Sequence, residues 1–225
     1  MTENEIIMDF GDNPRCILCA DPGIRLYHRG RSGREYLSCP SCGLVFVPPG
    51  QRPGPAEEFD RYERHQNSPD NHGYTGFLNR LVSPLDSRLE PGSTGLDFGS
   101  GPVPVLSRIL TDRGYQMNIY DPFYAADRSV FERDYDFITA VEVLEHLFDP
   151  GRELDNLWNC LRKGGYLGIM TEPVPGRREF AEWYYKDDIT HVTFFSEKTF
   201  VWLARHWGGL LKYVRDNVII FKKPV

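Results

Sequence analysis

The chain has 225 residues, 40% of them hydrophobic and 26% charged, a balance that suits one α/β domain with a small added module rather than a disordered or fibrous chain. A formal net charge of −6 argues against a broad nucleic-acid-binding face, and no apolar run reaches the roughly 18–20 residues of a membrane span. Met1 to Phe10 is acidic and lacks the basic-then-apolar order of a signal peptide; of five cysteines, four stand in paired spacing, which fits a reducing cytoplasm and a metal site better than a disulfide scaffold.

In chain order, the first feature is Cys16-Ile17-Leu18-Cys19 and, nineteen residues on, Cys39-Pro40-Ser41-Cys42-Gly43. Zinc takes four soft ligands in a tetrahedron, and each C-x2-C knuckle supplies two thiolates from one tight turn. Gly43 suits the positive φ that such a knuckle needs. Ile24–His28 and Glu35–Leu37 read as short strands around the turn Arg29–Gly33, with Leu44–Val47 as a third. This is the pattern of a zinc ribbon with Cys16, Cys19, Cys39 and Cys42 as ligands. Four thiolates leave no open position, so the zinc would be structural and would supply folding energy that about 45 residues cannot find in a core of their own. A ribbon that has lost its metal, or a set of redox thiols, is the alternative. His28 reads as a strand residue and Cys160 as a buried helix thiol. Arg25, Arg29, Arg31 and Arg34 form a local basic hairpin, which keeps RNA recruitment as a second use for the ribbon.

Pro48–Pro55 reads as a linker and domain boundary. The chain therefore divides into a ribbon (1–50), a linker with packing or lid helices (51–93) and a cofactor domain (94–225). Phe77, Leu78, Leu81, Leu85 and Leu89 recur at helical spacing, a face that packs on the larger domain. Arg61–His65 reads either as a lid or as a solvated helix face.

Leu96-Asp97-Phe98 ends a strand, Gly99-Ser100-Gly101 is a glycine turn, and Val103–Arg113 is a helix with Pro104 in its first turn. A strand ending in glycines lets a ligand approach bare backbone N–H groups. Met117–Tyr120 is the next strand, and Asp121 follows Gly101 by twenty residues. There α/β nucleotide binders place an acid for the ribose hydroxyls. Tyr135–Val141 is a strand ending at Glu142. Asp149 caps, and Pro150 starts, a helix to about Leu161. Tyr166–Thr171 is a strand, Ser196–Trp207 a serine-capped helix, and Leu210–Val214 with Val218–Lys222 a hairpin about Asp216-Asn217. An antiparallel hairpin closing an otherwise parallel sheet gives a Rossmann-like, seven-stranded α/β fold. Hydride transfer is disfavoured, because Pro102-Val103-Pro104 follow Gly101 where a dinucleotide fingerprint carries its third glycine.

Leu96–Gly101, Tyr120-Asp121-Pro122, Asp136–Leu147 and Leu161–Leu167 resemble class I S-adenosylmethionine (SAM)-dependent methyltransferases of the ubiquinone-methylase-like type, over about residues 70–225. The ribbon with Cys42-Gly43-Leu44-Val45-Phe46 is similar to the zinc-binding modules that precede some such enzymes. The resemblance implies methyl transfer from SAM to a small-molecule acceptor at O, N or C. It also implies a cofactor site of Asp97, Phe98, Gly99, Ser100, Gly101, Asp121, Pro122, Glu142 and Val143. In it the Gly99–Gly101 N–H groups face the methionine carboxylate, Asp97 bonds the turn or the methionine ammonium, Asp121 takes the ribose and Glu142 stands near the sulfonium. An RNA- or protein-directed methyltransferase recruited by the ribbon, and an inactive SAM-binding partner module, are the alternatives. Two departures stand out. Val103 replaces the family's third glycine, and only fourteen residues separate Asp121 from Asp136, which leaves Asp127 as the one weak candidate for an adenine-binding acid.

The aromatic and polar stretch Trp183–Ser196 follows the fifth strand and should lie over the same crevice. His191 is the candidate general base, because an acceptor hydroxyl or acidic nitrogen needs a base titrating near neutrality. Tyr185 joins it in the catalytic pair, with Tyr184 and Lys186 as substrate contacts; Glu172-Pro173 could also face substrate. The alternative is a helix-entry loop in which His191 bonds backbone. Glu145 and His146 read as packing or capping residues, with substrate contact the lesser reading for His146.

Overall fold

The computed structural model describes residues 15–62 and 71–225. The readings placed on Met1–Phe10 and on Glu63–His65 lie outside the described residues. No helix among the described residues is long and apolar enough to cross a membrane.

The amino-terminal segment folds as β1 (Arg25–Arg29), β2 (Glu35–Ser38) and β3 (Val45–Phe46), an antiparallel meander. Its two knuckles repeat one geometry. The Cys16 N–H donates to the Asp21 carbonyl and the Ala20 N–H to the Cys16 carbonyl; the Cys39 N–H donates to the Leu44 carbonyl and the Gly43 N–H to the Cys39 carbonyl, each at 2.9 Å. The fifth residue of each knuckle has positive φ, +58° at Ala20 and +77° at Gly43. Gly43 is doubly required, since a Cβ there would stand 2.8 Å from Ser196 Oγ and 2.9 Å from Lys198 Cβ.

After a short 3-10 turn at Pro49–Gln51 come α1 (Pro55–Tyr62) and α2 (His72–Asp86). The Asn71 side chain caps α2 by accepting from the N–H groups of Gly73 and Tyr74. The remaining elements are β4 (Thr94–Phe98), α3 (Val105–Asp112), β5 (Gln116–Tyr120), β6 (Tyr135–Val141), α4 (Pro150–Asn159), β7 (Leu161–Met170), α5 (Arg177–Phe180), β8 (Thr193–Phe194), α6 (Glu197–His206), β9 (Leu210–Arg215) and β10 (Val218–Lys222). Helix α3 begins two residues later than its sequence pattern suggests: Pro104 takes the N-cap place, and its ring disfavours the helical region for Val103 before it.

The large sheet runs β5-β4-β6-β7-β10-β9. The first three pairings are parallel, and β10 lies antiparallel to both β7 and β9. Strand alternation sorts its side chains onto two faces. Ile138, Ile219 and Phe221 pack with Leu154, Leu157, Phe200 and Leu203 of α4 and α6. Phe137, Val218 and Ile220 pack with Leu78, Leu81 and Leu85 of α2 and with Leu106 and Leu110 of α3. The sheet is thus an open α/β layer with helices on both sides.

Among the described residues the large sheet has six strands where seven are expected. The missing one is the edge strand between Asp121 and Asp136. That segment turns back on itself through an Asp121–Ala125 bridge, then forms a 3-10 turn at Arg128–Glu132 capped by Asp127. Fourteen residues cannot supply a crossover helix and a strand as well.

The ribbon does not stop at the linker. Its sheet has a fourth strand, β8, with Val45 opposite Phe194 and Phe46 opposite Thr193. Leu37, Leu44 and Phe46 join the core under α4 and α6, while Tyr36, Val45 and Val47 pack with Phe180, Val192 and Phe194 on the other face. The boundary near residue 50 therefore separates stretches of chain that share one core.

Candidate active site

A cavity of about 520 Å³ opens at the carboxyl ends of β4, β5 and β6, the place where open α/β sheets bind ligands. Phe98, Gly99, Ser100, Gly101, Asp121, Pro122, Glu142, Val143 and His191 all line it. Asp97 does not: it is 3% exposed, accepts from Thr139 Oγ1 at 3.0 Å, and is pushed up to about 7 by burial, against the pull of Thr139 and the Ser107 N–H. Its place is beneath the turn, holding β4, β6 and the start of α3 together.

The turn itself is more occupied than its sequence suggests. The Gly99 and Ser100 N–H groups donate to the Tyr120 carbonyl at 2.8 and 3.1 Å, and the Gly101 N–H donates to Asp121 Oδ2 at 2.9 Å. Gly99 and Gly101 have φ of +78° and +67°, and a Cβ on Gly99 would strike Val143. Asp121 Oδ1 accepts from the N–H groups of Phe123 and Tyr124 at 2.9 and 3.2 Å. Asp121 thus ties the glycine turn to the following loop with three of the roughly four lone-pair positions a carboxylate offers, and one remains for a ligand hydroxyl.

Beyond Asp121 the wall is aromatic. Phe98 stacks on Tyr120 at 5.6 Å, Phe131 meets Tyr120 edge-on at 4.7 Å, and the Arg128 guanidinium lies 5.4 Å from the Phe131 ring. This end was missed in the sequence, where an acid was sought. Asp127 does not line the cavity; it accepts from the Ser129 N–H and Oγ, each at 2.9 Å. The alternation Phe98, Tyr120 and Phe131 around Asp121 was the available signal.

At the other end lies an acidic and imidazole cluster. Glu142 follows β6 with φ +52°, unusual for a residue with a side chain. Its Oε2 accepts from Tyr185 Oη at 3.3 Å, and its buried Oε1 has no hydrogen-bond partner. Burial, then Glu145 and Glu172, push Glu142 up to about 8. Glu145 is fully buried, accepts from Thr171 Oγ1 at 2.8 Å, has a second oxygen without a hydrogen bond, and is pushed up to about 7 by burial. Two carboxyls so placed hold protons near neutrality, and a cation entering the cavity would draw the protons off.

His191 is 8% exposed, and its Nδ1 lies 2.7 Å from the Tyr185 carbonyl. A carbonyl only accepts, so Nδ1 carries the proton and Nε2 is the basic nitrogen. Burial pushes His191 down to about 4, so it is neutral at physiological pH and a weaker base than the one titrating near neutrality expected from the sequence. His146 Nδ1 lies 3.1 Å from the Thr190 carbonyl, and the two imidazoles meet edge-on at 4.8 Å. Ligand-type atoms of Glu145, His146 and His191 all lie within 4.8 Å of one another, a donor set that suits a proton or a divalent cation. Tyr185 does not line the cavity but reaches Glu142 and Thr171 from behind, and burial raises its phenol above its usual value. Tyr184 points to solvent at 72% exposure; Lys186 is buried and its Nζ donates to Asp187 at 2.7 Å; Glu172 accepts from Asn217. None of these three lines the cavity. Residues of α4, Arg152, Glu153 and Asn156, do line it; their spacing of one and four residues on one helix face was the sequence signal.

The four ribbon cysteines form a second site. Sγ of Cys16 lies 3.5 Å from that of Cys42, and Sγ of Cys19 lies 3.5 Å from that of Cys39; all four are within 4.8 Å of one another. Tetrahedral thiolates at about 2.3 Å from zinc stand about 3.8 Å apart, so the cage is of the right size. The Cys42 S–H draws the Cys16 thiol below its usual value, while burial pushes Cys19 up. Of the basic hairpin, Arg29 pairs with Glu35, Arg31 makes an exposed 3.5 Å contact with Glu182, and Arg34 bonds backbone carbonyls.

With this geometry in view, comparison with known proteins gives the family. A methyltransferase-domain family model matches residues 64–208. The chain belongs to the methyltransferase-domain family. Among curated proteins it is similar to the ubiquinone biosynthesis O-methyltransferase of Shewanella pealeana, 28% identical over 91 residues, which are 40% of this chain and 39% of that protein. The Shewanella halifaxensis enzyme of the same name is 25% identical over 96 residues, 43% of this chain and 39% of that protein. The matches thus span about two-fifths of those relatives. Among solved structures, the Burkholderia thailandensis 1,6-didemethyltoxoflavin-N1-methyltransferase shares the fold with a TM-score of 0.55 at 14% identity, covering 81% of this chain and 96% of that one. This methyltransferase sheet is the Rossmann-like, mostly parallel one with a closing hairpin read from the sequence, one strand narrower.

Proposed function

We propose that this methyltransferase-family chain transfers a methyl group from SAM to a small-molecule acceptor. One observation carries the reading: a single cavity runs from Asp121, past the buried and unpartnered Glu142 Oε1, to the basic Nε2 of His191. Its volume falls within the roughly 300–1,000 Å³ of small-molecule sites. The residues fit the cofactor. The aromatic end at Tyr120 and Phe131 suits a purine, the spare lone pair of Asp121 suits a ribose hydroxyl, and the raised acids Glu142 and Glu145 suit a sulfonium cation. The Burkholderia thailandensis enzyme was solved with S-adenosylhomocysteine (SAH) bound.

When bound, the cofactor supplies an electrophilic methyl group. The chain's own part is then positional and acid–base. Asp121 orders the turn and the loop that border the cofactor end. Glu142, once charged, places a negative field on the cavity lining. His191 Nε2 takes the proton from an acceptor hydroxyl or acidic nitrogen, while the Tyr185 carbonyl holds the ring in the tautomer that leaves Nε2 bare. Tyr185 Oη keeps Glu142 in place from outside the cavity. The Phe98, Tyr120 and Phe131 rings give the cofactor end an apolar wall.

In the same reading, residues 1–50 form a structural zinc ribbon and residues 94–225 the cofactor domain, joined by 51–93. A reducing compartment such as the cytoplasm keeps the four thiols available for metal. Isothermal calorimetry with SAM tests the cofactor assignment. Asp121→Ala should weaken binding by about tenfold or more, as the loss of a charged hydrogen-bond acceptor requires; unaltered affinity would remove Asp121 from the site.

A further inference from the structure

The hairpin between β1 and β2 ends at Arg34, far from the cavity in sequence. Its guanidinium reaches across to the segment that carries His191 and donates to four backbone carbonyls there. Nη1 bonds the carbonyls of Lys186 (3.2 Å) and Asp188 (2.9 Å), and Nη2 those of Ile189 (2.9 Å) and His191 (2.7 Å). Tyr36 Oη also donates to the Lys186 carbonyl at 3.0 Å, and its ring lies 5.6 Å from the Arg34 guanidinium carbon. Just beyond, the Val47 N–H donates to the Val192 carbonyl at 2.8 Å, and β3 pairs with β8.

Four carbonyls pointing at one place repel one another unless a donor stands between them. The segment is neither helix nor extended strand over Asp188–Val192, so its carbonyls have no ladder to join. A planar guanidinium offers up to five N–H groups in a fixed fork, which a lysine ammonium with three rotating donors does not match. The same segment sets the base. Tyr185 supplies the carbonyl that fixes the His191 tautomer, and Thr190 supplies the one that fixes His146.

We infer that Arg34 is a positioning residue for the reaction: it clamps the Lys186–His191 backbone and so aims the His191 imidazole into the cavity, which makes the ribbon a support behind the segment that carries the base instead of a detachable recruiting module. The inference rests on the reading of His191 as the base. The opposite side of the segment is held separately, by Arg61 on the Asp188 carboxylate at 2.5 Å, so the ribbon supplies one jaw and α1 the other.

The test uses the full-length, zinc-loaded protein, with Arg34→Gln, Arg34→Lys, and Arg29→Gln as a control on the same hairpin. Amide hydrogen exchange is followed at residues 186–192 and at β6, and the His191 ring nitrogens, assigned through His191→Gln, are read by 15N shifts at fixed pH. SAH affinity is measured by calorimetry. In Arg34→Gln, exchange at 186–192 should rise by about tenfold or more while β6 is unchanged. The His191 shifts should move from those of a single tautomer to averaged values, with SAH affinity retained. Arg34→Lys should recover part of both effects, and Arg29→Gln should show neither. Wild-type exchange and ring shifts in Arg34→Gln would overturn the clamp. So would faster exchange in β6 to the same extent in both Arg34 variants, which would make Arg34 a general prop of the fold. If instead the clamp behaves as expected but His191→Gln leaves methyl transfer intact, the base assignment fails alone.

Discussion

Asp188 joins α1 to its own loop through one carboxylate. Its Oδ2 pairs with Arg61 of α1, and its Oδ1 accepts from the N–H and Oγ1 of Thr190. Burial alone would raise its pKa, but Arg61 and the two Thr190 donors outweigh burial and hold the group below the usual carboxylate range. A folded-state pKa below the unfolded value of about 3.9 means stabilisation that is present above that value and lost as pH falls through it. Asp188→Asn should therefore be less stable than the wild type near pH 6, and the gap should close as pH drops below about 4. Urea unfolding at a series of pH values checks this, and a gap independent of pH would contradict it. At the same scale, the sequence was informative where a residue's role follows from its position at a strand end, as for Asp121 and Glu142. It failed where a side chain chooses between facing the cavity and facing its own backbone. Asp97 turned beneath the turn to Thr139, Lys186 turned to the Asp187 carboxylate, and Asp127 turned to Ser129; only the last is the local bond by which a short polar side chain takes a nearby donor. The Tyr120 carbonyl, which takes up two turn N–H groups, is invisible to any pattern of side chains.

Helices and strands were legible because their hydrophobic periods are long: Leu78, Leu81 and Leu85 face the sheet, and the closing hairpin pairs as its turn residues imply. The short elements were read unevenly. The strand read at Leu44–Val47 holds β3, but β8 has two residues and was not read, because pairing between segments so distant in sequence leaves no local signature. The seam beside them depends on one hydroxyl. Ser196 Oγ accepts from the Thr199 N–H at 3.2 Å, completing a capping box at the start of α6, and donates to the Gly43 carbonyl at 2.9 Å in the second knuckle. Losing a cap of this kind costs about 0.5–2 kcal/mol, typically about 1, and Ser196→Ala also orphans the Gly43 carbonyl. A loss at the upper end of that range is expected in denaturant unfolding, while Ser196→Thr, which keeps the hydroxyl, should recover most of it. A loss no larger for Ser196→Ala than for Ser196→Thr would mean the hydroxyl bridges nothing.

At the scale of the whole molecule, the division of the chain at Pro48–Pro55 follows composition, while the packing follows a different logic. Phe46 is 1% exposed and belongs to the same buried cluster as Leu154 and Phe221, and the ribbon's fourth strand comes from the far side of the cofactor domain. A ribbon folding by itself would melt by itself; this one shares its core, so the zinc cage and the cofactor domain should unfold together. A structural zinc contributes its binding free energy to the folded state only, which for isolated fingers is on the order of 10–16 kcal/mol near neutral pH. Removing it with a chelator, or replacing Cys39 by Ser, should therefore lower the melting temperature of the single calorimetric transition. A second, low-temperature transition should not appear. Because β8 and the His191 segment hang on β3 and Arg34, the same treatment should raise amide exchange at residues 186–194 before it affects β6. Metal analysis fixes the starting point at about one zinc per chain, falling in Cys39→Ser. Two separate transitions, or a methyltransferase domain whose melting is indifferent to zinc, would show that the shared strand carries no energy between the two halves.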